Sequence, residues 1–177
     1  MVCTANRFRS PIVASVLRRE LEGRPVEITS RGMLDLGPLP PLVEAVRVGR
    51  ELDLPLAKHR AQSLALGELS ETDLVLGFER AHLVAATEHG RASPSAVFTL
   101  PELVDRLDRL VSGSERKHPV SLRNLITAAA RVRGDRIPDT VAEIEDPIGR
   151  SQAFFAATAS RIVELATTFA QLVGNRL

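Results

Sequence analysis

The sequence predicts an α/β protein with a doubly wound, mainly parallel sheet, helices on both faces, and a first strand cut short. Three observations predict it. Short continuous apolar runs at residues 73–77 (DLVLG) and 96–100 (AVFTL) are bounded by polar or turn residues, as strands buried on both faces are. Stretches with helical spacing of apolar residues alternate with them, the pattern of crossover connections. The length, 177 residues, suits one domain that buries roughly 70% of the surface its unfolded chain exposes.

In chain order, the first predicted helix spans residues 12–22, with Ile12, Val13, Val16, Leu17 and Leu21 apolar. A β-prone run at 26–30 ends in Arg31-Gly32, and further helices are read at 42–52 and 80–88, on either side of the 73–77 strand. After the last strand, 101–111 has Leu103, Val104, Leu107, Leu110 and Val111 on helical spacing, and 120–132 is helical up to the break at Gly134-Asp135. Residues 151–173 form a closing helix whose stripe of Phe154, Phe155, Ile162, Leu165, Phe169 and Leu172 packs on the sheet. SGSERKH at 112–118 is the best candidate for a flexible loop. There is no internal repeat or domain linker.

Composition excludes more than it identifies. A hydrophobic fraction of 44% and a charged fraction of 25% are those of an ordinary globular chain. A net charge of +1 supplies no broad field for nucleic acid or an anionic membrane, so neither is expected as a partner, and attraction for an anion must be local. Arginine supplies all the basic residues except Lys58 and Lys117, a bias that codon usage explains, although arginine is also the better planar anion clamp. With one cysteine no intrachain disulfide forms, and there is neither a secretory signal nor an apolar run of the roughly 20 residues that span a bilayer. The expected location is the cytoplasm.

The chemistry concentrates at Cys3-Thr-Ala-Asn-Arg-Phe-Arg9-Ser10-Pro11. A thiol stands six positions before an arginine, with Ser10 a candidate N-cap and Pro11 in the first helical turn, where proline is favoured. A helix start exposes unpaired N–H groups and the positive end of the macrodipole, an anion site that also favours a thiolate. If Thr4, Ala5, Asn6, Arg7, Phe8, Arg9 and Ser10 cradle a phosphate, Arg9 can donate two parallel hydrogen bonds to its oxygens as charge spreads in the transition state. The residues alone equally allow Cys3 to be a small buried hydrophobe and Arg9 a solvated helix-start side chain.

The segment from Val2 to Pro11 resembles the C-x-G-N-x-C-R-S-P signature of the low-molecular-weight protein-tyrosine phosphatases. Further segments match in order: Thr29-Ser-Arg-Gly32 the S-A-G after strand two, Leu52-Asp-Leu-Pro-Leu-Ala-Lys-His-Arg60 the G-I-D-L-x-x-H-R segment, and DLVLGFERAHL at 73–83 the D-L-I-L-x-M-D-R-x-H-L run. Glu145-Asp-Pro-Ile-Gly149 is similar to the family's acidic D-P loop. The resemblance implies the phosphotyrosine phosphatase I fold, with residues 101–138 a helical insertion in a single domain. It implies Cys3 as nucleophile through a phosphocysteine intermediate, Arg9 as phosphoryl ligand, and Asp146 as general acid and then base. Asn6, Ser10 and His59 form the supporting network, with Ser10 stabilising the thiolate as it leaves. No cofactor or metal is implied. The implied partners are a phosphorylated protein or small phosphomonoester and a cognate tyrosine kinase. Without the resemblance, Asp146 reads as a solvated turn aspartate and His59 as a surface histidine.

Several departures shape the expectations. Only Met1 and Val2 precede Cys3, a span of about 7 Å, so the first strand reads as truncated, and a start assigned too late is favoured over natural loss. Ala5 stands where the family has glycine, a strain if that position needs positive φ. Phe8 replaces the second cysteine, so Cys3 has no thiol with which to form a protective disulfide. Ile148 occupies a position where the family often has an aromatic wall, leaving the preference among phosphoesters open. An arsenate reductase of the cysteine-relay type needs further thiols. A non-catalytic phosphate-binding or phosphoprotein-binding module remains the alternative class. His82 and His89 lack the company of a metal motif and are read as solvated helix residues.

Overall fold

The computed structural model describes residues 1–64, 69–70, 73–112, 121–134 and 136–177. Its strands are β1 (Val2–Cys3), β2 (Arg31–Gly32), β3 (Val75–Gly77) and β4 (Val97–Thr99). The helices are α1 (Arg9–Glu20), α2 (Val43–Glu51), α3 (Arg80–Glu88), α4 (Leu100–Ser112), α5 (Leu122–Arg133) and α6 (Gln152–Val173), with a short 3-10 turn at Leu56–Lys58. Most of the expected 112–118 loop lies outside the described residues.

Both ladders are parallel: Val2 pairs with Arg31 and Cys3 with Gly32, while Val75, Leu76 and Gly77 pair with Val97, Phe98 and Thr99. The strands thus form two separate two-stranded parallel sheets rather than one continuous sheet, with β1 lying against β3. Successive side chains on a strand point to opposite faces, and the core divides accordingly. Cys3, Leu76 and Phe98 belong to the larger cluster, with α1, α4 and α6, while Val2, Val75 and Val97 belong to the smaller one, with Leu83, Ala85 and Ala86 of α3. Burial on both faces explains why the strands read as unbroken apolar runs rather than alternating ones.

The predicted strand at 26–30 is not one. Its ladder forms one step later, at Arg31–Gly32, where the partners are Val2 and Cys3 and Met1 O accepts from Arg31 N. Residues 26–30 are held by other contacts: Ile28 O accepts from Arg18 Nε at 2.8 Å and Thr29 O from the Met1 ammonium at 2.8 Å. The short ladder has a direct consequence for the loop after β1, because Met33 N and Leu34 N donate to Cys3 O and Thr4 O and carry the pairing into it. The loop is anchored from its first residue.

Candidate active site

Cys3 ends β1 and Arg9 opens α1, so the residues between them must reverse the chain within a small radius. The reversal is made at Asn6, whose φ of 53° is left-handed, a region that asparagine enters more readily than most residues. Three hydrogen bonds hold it there: Oδ1 accepts from Gln62 N at 3.0 Å, Nδ2 donates to Ser10 Oγ at 2.8 Å, and the backbone oxygen pairs with His59 Nε2 at 2.7 Å. Ala5 is not left-handed, so the strain expected there does not arise. The glycine that matters is Gly32, where a Cβ would stand 3.0 Å from Ala5 C and 3.1 Å from Asn6 N, so strand and loop pack backbone to backbone.

Ser10 is not the N-cap. That position is Phe8, with no side-chain cap, and Ser10 lies inside the first turn with its hydroxyl directed back to Cys3. Ser10 Oγ lies 3.0 Å from Cys3 Sγ and accepts from Asn6 Nδ2, so its single proton is shared between the sulfur and the more distant Arg31 O at 3.4 Å. Among the described residues, no acceptor takes the backbone N–H groups of Thr4 through Phe8. Together with the uncapped helix start they give the ring of residues from Cys3 to Arg9 uncommitted donors, and Cys3 itself is buried. The side chains of Arg7 and Phe8 leave the ring: Arg7 Nε donates to Pro40 O at 2.8 Å, and Phe8 packs edge-on against Phe155 at 5.1 Å.

Arg9 is 1% exposed, and its planar head is engaged on two edges. Nη1 donates to Ile144 O at 2.9 Å and pairs with Glu79 Oε2 at 3.1 Å. Nη2 donates to Thr4 Oγ1 at 3.0 Å and to Asp146 Oδ2 at 2.5 Å. The Nε–H is not engaged by any described residue, which leaves it and the Nη2–H now on Asp146 as the side-by-side donors of a bidentate fork. Asp146 reaches Arg9 from a tight turn in which its Oδ1 accepts from Ile148 N at 3.1 Å and Gly149 returns the chain with φ 80°. Its own N–H donates to Glu79 Oε1 at 3.3 Å. Thus the structure brings Cys3, Arg9, Ser10, Asn6, His59 and Asp146 together.

Two participants were missed. Glu79, at the N-cap of α3, touches both Arg9 and the Asp146 backbone. His82, expected to be solvated, is completely buried, and only His89 is exposed. Its Nδ1 accepts from Phe78 N at 3.2 Å and Glu79 N at 3.1 Å, so the ring proton is on Nε2, which lies 3.2 Å from Thr4 Oγ1 and 3.3 Å from Glu79 Oε2. Burial first, and Arg9 next, push its pKa down to about 3. With the ring neutral, the 3.3 Å approach to Glu79 is not an ion pair, and the hydrogen bond of Nε2 goes to Thr4. The available signal was the Glu-x-x-His spacing immediately after a buried strand, the reach of a capping box. Burial likewise lowers the pKa of His59, partly offset by its bond to Asn6 O. Among the described residues no cluster of His, Cys, Asp and Glu could hold a metal ion.

No protein-family model matches the chain. A probable low-molecular-weight protein-tyrosine phosphatase, EpsP, of Ralstonia nicotianae is 32% identical over 103 residues, which are 58% of this chain and 70% of that protein. Among solved structures, the low-molecular-weight protein-tyrosine phosphatase of T. tengcongensis superposes with a TM-score of 0.65 at 22% identity, covering 96% of this chain and 95% of the other. The YwlE arginine phosphatase of Geobacillus stearothermophilus superposes with a TM-score of 0.62 at 22% identity over 96% and 88% of the two chains. The structural likenesses establish the shared fold, and the match to EpsP establishes kinship: the chain belongs to the low-molecular-weight protein-tyrosine-phosphatase family, whose members are cysteine-dependent phosphatases.

Proposed function

We propose that this chain hydrolyses phosphotyrosine in proteins, with Cys3 as nucleophile, Arg9 as phosphoryl ligand and Asp146 as the acid. The observation that supports this best is the Cys3 Sγ to Ser10 Oγ contact of 3.0 Å at the base of a loop whose N–H groups have no other acceptor among the described residues. The phosphoryl group enters the ring of Thr4, Ala5, Asn6, Arg7, Phe8, Arg9 and Ser10. A dianion takes the Nε and Nη2 donors of Arg9, displacing Asp146 from Nη2 and freeing its carboxyl group for the leaving oxygen. Sγ then forms a bond to phosphorus as the phenolic P–O bond breaks, with the Asp146 proton passing to the phenolate. In the second half a water attacks the phosphocysteine, Asp146 takes its proton, and the departing thiolate receives the Ser10 O–H.

The rim supports an aromatic ester. Leu34, bonded through its N–H to Thr4 O, follows the loop, and Leu36, Leu39 and Ile148 are exposed, with Ile148 beside the Asp146 turn. A flat phenyl ring gains from such contact. A reducing cytoplasm suits a nucleophilic lone thiol, and a tyrosine kinase acting on the same protein is the natural counterpart. The test is turnover of p-nitrophenyl phosphate and of phosphotyrosine and phosphoarginine peptides. Cys3→Ser should abolish it, and Asp146→Ala should lower kcat on the phosphotyrosine peptide by about 10²- to 10⁴-fold. Turnover surviving Cys3→Ser would sink the mechanism, and preference for the phosphoarginine peptide would sink the substrate.

A further inference from the structure

We infer that His82 is a positioning residue for the phosphatase reaction: it holds Thr4 through its single Nε2–H and the backbone of Glu79 through Nδ1, and through these two residues the plane of Arg9 and the backbone of Asp146. This deepens the function proposed above and rests on it. The ring is locked at one end, because Nδ1 accepts from two backbone N–H groups, Phe78 and Glu79. That leaves Nε2 as a donor only, bonded to Thr4 Oγ1 at 3.2 Å, with Glu79 Oε2 standing 3.3 Å away. Both of those atoms also bind Arg9, on Nη2 at 3.0 Å and Nη1 at 3.1 Å. The three side chains therefore surround the guanidinium, and among the described residues only its Nε–H is left without an acceptor, beside the Nη2–H held by Asp146.

Two further contacts extend the effect. Thr4 Oγ1 accepts from both Arg9 and His82, so both lone pairs are used and its own O–H is left to donate into the loop. The second carboxylate oxygen of Glu79 accepts from Asp146 N at 3.3 Å, so the same ring sets the height of the acid turn. Position is itself part of this site's sequence logic: Gly77 lacks the Cβ that would come within 2.9 Å of His82 Cβ, and this lets α3 lie close enough for the ring to reach Thr4. His82 touches no reacting atom. Its contribution is to geometry, where a misplacement of about 1 Å can cost on the order of 10² in rate.

Two amide substitutions separate this role from a structural one. His82→Asn places an acceptor where Nδ1 stands and keeps the α3 start, but has nothing at Nε2. His82→Gln places a donor near Nε2 and gives up the acceptor. The experiment measures kcat and KM for a phosphotyrosine peptide, with thermal unfolding of each protein in parallel. We expect His82→Asn to unfold near wild type but lose kcat by about 10- to 100-fold with KM little changed, the signature of an interaction made in the transition state. His82→Gln should unfold earlier yet recover most of that kcat. Overturning results are kcat within about twofold of wild type in His82→Asn, or a loss in His82→Gln as deep as in His82→Asn. If His82→Asn does not fold, Thr4→Val against Thr4→Ser decides: the hydroxyl-free variant must lose kcat that the serine retains. A wild type without turnover sinks the proposed function and this inference with it, whereas an active wild type with an unimpaired His82→Asn overturns the inference alone.

Discussion

His82 gives the fold an acid sensitivity that can be read apart from every other group. In the folded chain its pKa falls from 6.5 to about 3, chiefly because burial removes water from the ring and secondly because Arg9 stands close, with Asp146 acting in the opposite direction. The hydrogen bonds point the same way, since protonating Nδ1 would set it against the two backbone N–H groups it accepts from. The folded value is the depressed one, so between the two pKa values the unfolded chain binds more protons. The contribution to stability is complete above about pH 7 and is lost as pH falls from 6.5 toward 3. At pH 4.5 the solution is two units below the unfolded pKa, worth about 3 kcal/mol at roughly 1.4 kcal/mol per unit. Because pH 4.5 is still above the folded pKa, that figure hardly changes if the folded value moves by a unit. Urea unfolding of wild type and His82→Asn at pH 7.5 and 4.5 isolates it, because all other groups titrate in both proteins, including His59, whose lowered pKa has the same sign. Wild type should lose about 3 kcal/mol more than the variant, making the variant the more stable protein at pH 4.5. Equal losses in the two proteins would show that His82 does not resist protonation, and the neutral-ring geometry would be wrong.

Other expectations follow from particular contacts. Gly32→Ala adds a Cβ that meets the loop backbone at 3.0 and 3.1 Å, so it should cost about 1–3 kcal/mol in unfolding free energy and weaken inhibition by inorganic phosphate in a steady-state assay. Unchanged phosphate affinity would mean that the loop shifts without harm. Arg133 stacks on Phe98 at 4.1 Å, donates to Val97 O and Pro94 O, and lies 3.8 Å from buried Glu102. Arg133→Met should cost about 3 kcal/mol in urea unfolding, and Glu102→Gln in the same chain should return part of it, since the uncompensated carboxylate is a large share of the loss. If the second change returns nothing, Arg106, which bonds Glu102 at 3.1 Å, already neutralises it. Asn6→Ala removes both the left-handed preference and the bonds to Ser10 and Gln62, and kcat should fall by at least 10-fold while circular dichroism stays native; retention of kcat would show that the loop is held by other contacts.

What the sequence disclosed depended on whether the determining interaction was local. α3 was read with both ends correct because a buried strand and a helical stretch follow one another within residues 73–88. Cys3, Arg9 and Ser10 were legible for the same reason: they share one turn, and the helix start that organises them follows directly. The strand at 26–30 failed because a parallel ladder is decided by its partner. β propensity continues through Val26 to Thr29, but the residues that stand opposite Val2 and Cys3 in the ladder are Arg31 and Gly32. His82 failed more instructively. Its helix face alternates with exposed positions in the way a solvated histidine's would, and nothing nearby in the chain marks the contact with Thr4, 78 residues away. What makes a buried histidine tolerable there is that both ring nitrogens find partners, one in the backbone that precedes the helix and one in the loop. A polar ring is expensive to bury without such partners, so a satisfied one behind Arg9, the proposed phosphoryl ligand, is better explained by what it orients than by what it stabilises. The same reasoning accounts for Glu79, a carboxylate held 3.1 Å from the arginine that has to bind an anion. It weakens the local positive charge, which makes sense only if the orientation it imposes on Arg9 and on the Asp146 turn is worth more to the reaction than the charge it offsets.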